Sequence, residues 1–148
     1  MLAAVRPDAW NLPLVVHVAG AMLLVGALVV VLVLTAAALR RGDGAAVLVR
    51  LGFRGLLLGV LPAYLVMRVG AEWVASEEGV GDPAWIGIGY GVADGGLLLT
   101  IVATVAAWRA SRRDDAGPGG LRRAVVGLSA VLLVGYVVAV WAMTAKPT

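Results

Sequence analysis

Four long apolar stretches run through this chain, and they decide what it can fold into. They cover about residues 12–39, 51–75, 85–108 and 121–143. Each holds the roughly 20 residues that an α-helix needs to cross about 30 Å of hydrocarbon. A backbone inside a membrane must satisfy its own hydrogen bonds, and a helix does so within one segment. We therefore predict an all-α fold: one transmembrane domain over residues 1–148, an integral membrane four-helix bundle.

The composition agrees with a chain that lies in a bilayer. Hydrophobic residues make up 61% of the sequence and charged residues only 14%, against about a quarter charged in soluble domains. The first stretch is longer than the roughly 7–15 apolar residues of a cleaved signal peptide, so we interpret it as a retained helix. The sequence has no cysteine, which excludes disulfides, thiolate chemistry and cysteine-based metal sites.

The basic residues predict the orientation in the membrane. They flank the first predicted connection at Arg40, Arg41, Arg50 and Arg54, and the third at Arg109, Arg112, Arg113, Arg122 and Arg123. The second connection carries Glu77, Glu78 and Asp82 and no Lys or Arg. Because cytoplasmic loops are enriched in Lys and Arg, we expect both termini on the outer side of the cytoplasmic membrane. This distribution indicates a lipid bilayer as the partner, and no nucleic acid.

Three charged residues interrupt the apolar stretches. Arg68 and Glu72 are four residues apart on the second stretch, and Asp94 lies on the third. Ionisable groups at membrane depth are costly and mark a candidate site by default. The spacing of Arg68 and Glu72 predicts an ion pair on one helix face, which leaves Asp94 in need of a partner of its own. The only histidine, His17, lies in the first stretch.

The polar residues of the stretches cluster near one side of the predicted membrane. A rise of 1.5 Å per residue places them within about 15 Å of the outer helix ends. The inner half of each stretch is almost entirely Leu, Val and Ala, so the pattern favours an outward-facing pocket over a path across the membrane. Pro62 predicts a kink in the second helix just before this region. The candidate site comprises His17, Tyr64, Arg68, Glu72, Asp94 and Tyr136.

A glycine repeat on the third stretch predicts close helix packing. Gly87, Gly91 and Gly95 recur every four residues, and such small-residue repeats let two helices approach closely. The partner helix could belong to the same bundle or to a second copy in a homo-oligomer. Asp94 should share this side of the helix, so we expect it to face protein rather than lipid.

The first stretch also resembles a known family. The run from His17 to Ala27 looks like the pattern His-x-x-Gly-x-x-x-Trp-[Val/Met]-Gly-Gly of short bacterial membrane proteins related to the CopD copper-resistance proteins and the HemJ protoporphyrinogen oxidase. Leu24 stands at the Trp position and Ala27 at the second Gly. The resemblance implies a helical bundle in which His17 can ligate haem b. The second axial ligand would be His17 of another copy, or Met22.

Three functions are compatible with these observations. The first is a binding or accessory role, in which Arg68 anchors an anion or carboxylate, Glu72 holds Arg68, and Asp94 and His17 accept or relay protons. The second is transport of protons, a small ion or a solute by an oligomer, and the third is haem-linked redox work through His17. A purely structural polar network that fixes helix order is the alternative to all three. The residues themselves indicate no catalytic set, no metal site and no cofactor.

Overall fold

The computed structural model describes residues 11–40, 44–78, 84–112 and 119–145. They form α1 (Asn11–Arg40), α2 (Ala45–Gly55), α3 (Leu61–Glu78), α4 (Ala84–Arg112) and α5 (Gly120–Ala145), with a π-helical turn at Leu56–Val60 between α2 and α3. Because α2, the π-helical turn and α3 run on as one span, the described residues contain four helices long and apolar enough to cross a membrane. The predicted all-helical class and the four apolar helices are confirmed.

The second span begins before the predicted stretch at residues 51–75. Helix α2 starts at Ala45, directly after Gly44 in the left-handed conformation with φ of 80°. Its buried face, Ala45, Val49 and Gly52, packs against α1 and α4. Arg41 and the predicted loop residues Asp82 and Arg113 lie outside the described residues.

A π-helical turn precedes Pro62 where the sequence predicts a kink. In this turn the N–H of Leu61 donates to the carbonyl of Leu56, five residues back. Pro62 has no N–H to donate to the carbonyl four residues before it, so the regular α-helical pattern is interrupted at this point in any case. The wider turn therefore lies where the backbone already lacks one helical hydrogen bond.

Buried positions recur at intervals of three and four residues on the long helices. On α1 they are Gly20, Leu24, Leu28, Val31, Thr35 and Ala38. On α4 they are Gly89, Ala93, Gly96, Thr100, Ala103 and Ala107, and on α5 Val125, Ser129, Leu132, Tyr136 and Ala139. This spacing is typical of helices that pack nearly parallel or antiparallel with a small left-handed crossing angle.

Neighbouring helices of the bundle differ in how extensively they contact one another. Helix α1 packs against both the second span and α5, and α5 packs against α4. The second span completes the ring through α2, which contacts α4, whereas α3 and α4 make few contacts. The two helices therefore diverge at one end of the bundle, where α3 ends and α4 begins. We call this the open end, and the end that contains α2 the closed end.

Candidate functional site

A cavity of about 250 Å³ lies at the open end of the bundle. Helices α1, α3, α4 and α5 all contribute to its wall. Most of the wall is apolar, and its polar or aromatic members are His17, Arg68, Trp85, Tyr90 and Tyr136. A concave, mainly apolar cavity with a few polar groups is the usual form of a small-molecule site.

Arg68 joins the two diverging helices across the edge of this cavity. Its Nη1 lies 2.8 Å from Oε1 of Glu72 on the same helix, and its Nη2 lies 3.5 Å from Oδ1 of Asp94 on α4. The guanidinium carbon also lies 4.4 Å from the centre of the Tyr90 ring, a cation–π distance. Arg68 thus makes the predicted contact with Glu72, and it is also the partner that Asp94 lacked in the sequence.

Both carboxylates lie outside the cavity wall. The side chains of Glu72 and Asp94 are 57% and 65% exposed, whereas that of Arg68 is 27% exposed. The expectation that Asp94 faces protein is therefore wrong for the single chain. The reason is that α4 packs through the face of Ala93 and Gly96, and Asp94 lies to the side of that face.

The glycine repeat lies on the exposed face of α4. A Cβ atom added at Gly87, Gly91 or Gly95 would meet no atom of the described residues within 4 Å. This repeat therefore does not pack against another helix of the single chain. Packing against a second copy stays a prediction. The glycines of α4 that do make close contacts are Gly89, next to Met143, and Gly96, next to Tyr136.

His17 lies where α1 and α3 approach most closely. Its Nδ1 is 3.0 Å from the carbonyl oxygen of Met67, to which a protonated Nδ1 donates. A Cβ atom at Gly20 or Gly70 would lie 2.7 Å from the Cα atom of Met67 or His17 respectively. The two glycines let the backbones meet, and this contact brings the imidazole within reach of the carbonyl. His17 therefore links two helices and also lines the cavity, with Nε2 left as the acceptor of the neutral ring.

The hydroxyl of Tyr136 is buried although the residue lines the cavity. The residue is 4% exposed, and among the described residues its hydroxyl has no hydrogen-bond partner. A Cβ atom at Gly96 would lie 2.7 Å from this hydroxyl, so only a glycine leaves room for it. A buried hydroxyl without a partner is costly, and the hydroxyl of Ser129 on the same helix, outside the cavity wall, is a second one among the described residues. Tyr64, in contrast, is 3% exposed and packs in the core without lining the cavity.

The haem site that the resemblance implies does not fit the single chain. A cavity of about 250 Å³ is below the roughly 300–1,000 Å³ of pockets for drug-sized ligands, and a porphyrin is at the large end of that class. Met22 is 71% exposed and does not line the cavity.

Comparisons with protein-family models, with curated proteins and with solved structures find no match to this chain. The fold and the site therefore define a class only: an all-helical bundle with four helices of membrane-spanning length and a cavity at one end. The similarity of the run from His17 to Ala27 to the CopD and HemJ group stays a prediction.

The sequence analysis did not identify several of the residues that line the cavity. Tyr90 lies one turn before Asp94, so its place on the same side of α4 follows from the spacing once Asp94 is singled out. Met67, Trp85 and Met143 also line the cavity. Their side chains are common in packed cores and at membrane interfaces, and nothing in their spacing distinguishes them.

Proposed function

We propose that this chain is a multi-pass membrane protein of the bacterial cytoplasmic membrane that binds a small molecule in the cavity at its open end. The surface of the bundle supports a membrane location, because large apolar side chains such as Met22, Leu58, Leu98 and Val134 are more than 60% exposed. So extensive an apolar surface is incompatible with a stable monomer in water.

The proposed orientation follows from the described basic residues. Arg40, Arg50, Arg54, Arg109 and Arg112 lie in the closed half of the bundle, together with the start of α5. Arg68 is the only Lys or Arg of the described residues in the open half. The positive-inside rule then directs the open end, the cavity and both chain termini to the outer side.

Orientation can be tested by labelling, since the natural sequence has no cysteine. Single cysteines are introduced as Glu77→Cys near the open end and Ser111→Cys near the closed end. We expect a membrane-impermeant maleimide to label Glu77→Cys in intact cells and Ser111→Cys only after permeabilisation. The reverse pattern would place the cavity on the cytoplasmic side and contradict the proposal.

The cavity is the observation that carries the binding role. Four helices contribute to one apolar wall that also includes His17, Arg68 and Tyr136. Among the described residues, the ion pair between Arg68 and Asp94 is the one that joins α3 to α4. A small molecule that enters the cavity between these two helices therefore has to pass this partly exposed ion pair. The ion-paired Arg68 is less suited to anchoring an anion than the sequence suggested, because Glu72 and Asp94 already give the three side chains a net charge of −1.

Access to the cavity can be tested with a matched pair of cysteines on α5. Ala139 lines the cavity and is 8% exposed, whereas Ala142 is 0% exposed and does not line it. We expect a small uncharged thiosulfonate reagent to modify Ala139→Cys much faster than Ala142→Cys. Equal and slow modification of both variants would mean that the cavity is closed to small molecules, and the binding role would fail.

Transport and haem binding are the alternatives carried over from the sequence. Below the cavity, the buried apolar residues Leu28, Val31, Leu56, Val60 and Ala103 fill the core of the single chain, so a transport path would have to run between copies. Liposome flux that falls in Asp94→Asn or Glu72→Gln would favour transport. A Soret band that disappears in His17→Ala would favour haem.

A further inference from the structure

We infer that the cavity selects a neutral molecule with a hydrogen-bond donor, a hydroxyl or an N–H group, and that Nε2 of His17 accepts this hydrogen bond. The inference rests on the proposed function, because it names the chemical class of the ligand for the same cavity. It is supported by the place of His17 in the wall, by the proton on its ring and by the accessibility of Nε2.

His17 lies in the middle of the α1 face that forms part of the cavity wall. Leu14, three residues before it, and Ala21, four residues after it, also line the cavity. This spacing places the three side chains on one face of the helix. Met67, which the imidazole contacts on α3, lines the cavity as well. The imidazole is therefore part of the wall.

The contact with Met67 determines which ring nitrogen carries the proton. A backbone carbonyl oxygen only accepts hydrogen bonds, so Nδ1, at 3.0 Å from the carbonyl oxygen of Met67, has to be the donor. Nε2 of the neutral ring then has a lone pair and no proton. The backbone of α3 thus fixes His17 as an acceptor before any ligand binds.

Nε2 of His17 is also free and accessible. Among the described residues, the buried side-chain nitrogen and oxygen atoms without a hydrogen-bond partner are the hydroxyls of Ser129 and Tyr136. Nε2 does not belong to this group, although the contact of His17 with the described residues is made by Nδ1. It therefore keeps accessible surface, whereas the hydroxyl of Tyr136 is closed off next to Gly96.

The rest of the wall favours a neutral and compact ligand. Arg68, the only formally charged side chain of the wall, is already paired with Glu72 and Asp94. An anion would have to displace one carboxylate and would meet the other, and a cation would lose its hydration in a mainly apolar wall. A cavity of about 150 Å³ holds benzene, so one of about 250 Å³ has room for one substituted ring.

Because the chain has one histidine, the acceptor can be observed directly. The full chain, with a purification tag free of histidine, is labelled with ¹⁵N-histidine and placed in phosphatidylcholine nanodiscs. We expect ¹⁵N NMR to show a protonated Nδ1 and an unprotonated Nε2. Adding 4-fluorophenol should shift the Nε2 signal saturably towards the position of a protonated nitrogen. Fluorobenzene, and 4-fluoroanisole with the same oxygen but no O–H, should leave this signal in place.

Probe affinities test the same hydrogen bond independently. They are measured by ¹⁹F NMR, with empty nanodiscs to subtract partition into lipid. We expect 4-fluorophenol to bind about fivefold more tightly than fluorobenzene, as one net hydrogen bond allows. In His17→Asn the amide N–H can still donate to the Met67 carbonyl, but no atom replaces Nε2. This variant should reduce the preference to less than about twofold.

The contrary results are equally definite. A protonated Nε2 in the ligand-free protein, the same Nε2 shift with all three probes, or an unchanged preference in His17→Asn would overturn the inference while the binding role stands. Loss of the preference in Tyr90→Phe instead would assign the acceptor to the Tyr90 hydroxyl, which also belongs to the cavity wall, and would overturn it too. If no probe binds saturably, the proposed function itself fails.

Discussion

Replacing Gly70 by alanine is expected to destabilise the protein strongly, as is the same change at Gly20 in the same contact between α1 and α3. The new Cβ atom would lie 2.7 Å from the Cα atom of His17, and the obstacle is backbone, which cannot rotate away. Helices α1 and α3 would have to separate. Forcing extra atoms into a packed interior costs about 1–3 kcal/mol, and we expect Gly70→Ala to fall at the upper end.

Separation of the helices has a second effect. The hydrogen bond between His17 Nδ1 and the Met67 carbonyl, 3.0 Å long, depends on the same close approach, so Gly70→Ala should break it. Gly91→Ala is the matched control, because its Cβ atom would meet no described atom within 4 Å and alanine favours a helix interior by up to about 1 kcal/mol. Thermal unfolding in detergent, followed by tryptophan fluorescence, should show a lower midpoint for Gly70→Ala only. A lower midpoint for Gly91→Ala would instead indicate that this face packs against a second copy.

Replacing Arg68 by glutamine is expected to destabilise the protein by a smaller amount than Gly70→Ala. The change leaves Glu72 and Asp94 as two neighbouring carboxylates without a cation, and it removes the contact with the Tyr90 ring. Removing one partner from a fully buried ion pair costs about 3–5 kcal/mol. Both carboxylates here are more than half exposed, so we expect each ion pair to contribute at most about 1 kcal/mol.

Charge-matched variants separate the ion pairs from packing. The triple variant Arg68→Gln, Glu72→Gln and Asp94→Asn contains no uncompensated charge and should recover most of the lost unfolding free energy. Arg68→Lys should be intermediate, since lysine keeps the charge but cannot bridge two carboxylates with a planar guanidinium. Thermal unfolding of the four proteins tests this order. If Arg68→Gln kept full stability but changed the affinity for fluorobenzene, Arg68 would contribute to ligand binding and not to the stability of the bundle.

The apolar stretches were sufficient to predict the helices, because hydropathy and length are local properties of a sequence. The observed helices extend the predicted ones by a few residues, as at Arg40 and Arg112, where charged residues continue the helix. The contact between Arg68 and Glu72 was also predictable, since four residues make one helical turn.

The contacts between helices were not predictable in the same way. Helix α4 has small residues on two faces, one with Gly87, Gly91 and Gly95 and the other with Ala93 and Gly96. The sequence does not determine which face contacts α5. The regular four-residue spacing favoured the glycine face, whereas in the single chain the face with Ala93 and Gly96 makes the contact. The position of Asp94 was misjudged for this reason. The buried hydroxyl of Tyr136 likewise depends on the distance between α4 and α5, which no local pattern sets.

The central claim, that the cavity binds a small molecule, is tested most directly by filling it. Saturable binding of fluorobenzene in nanodiscs would be measured for the natural sequence and for Ala139→Leu, which adds three carbon atoms to the cavity wall. Ala124→Leu makes the same change at an exposed position of α5. We predict that Ala139→Leu weakens binding severalfold without lowering the unfolding midpoint, because the added atoms occupy part of the cavity, and that Ala124→Leu binds as the natural sequence does. Equal binding in all three proteins, or none in the natural sequence, would contradict the account.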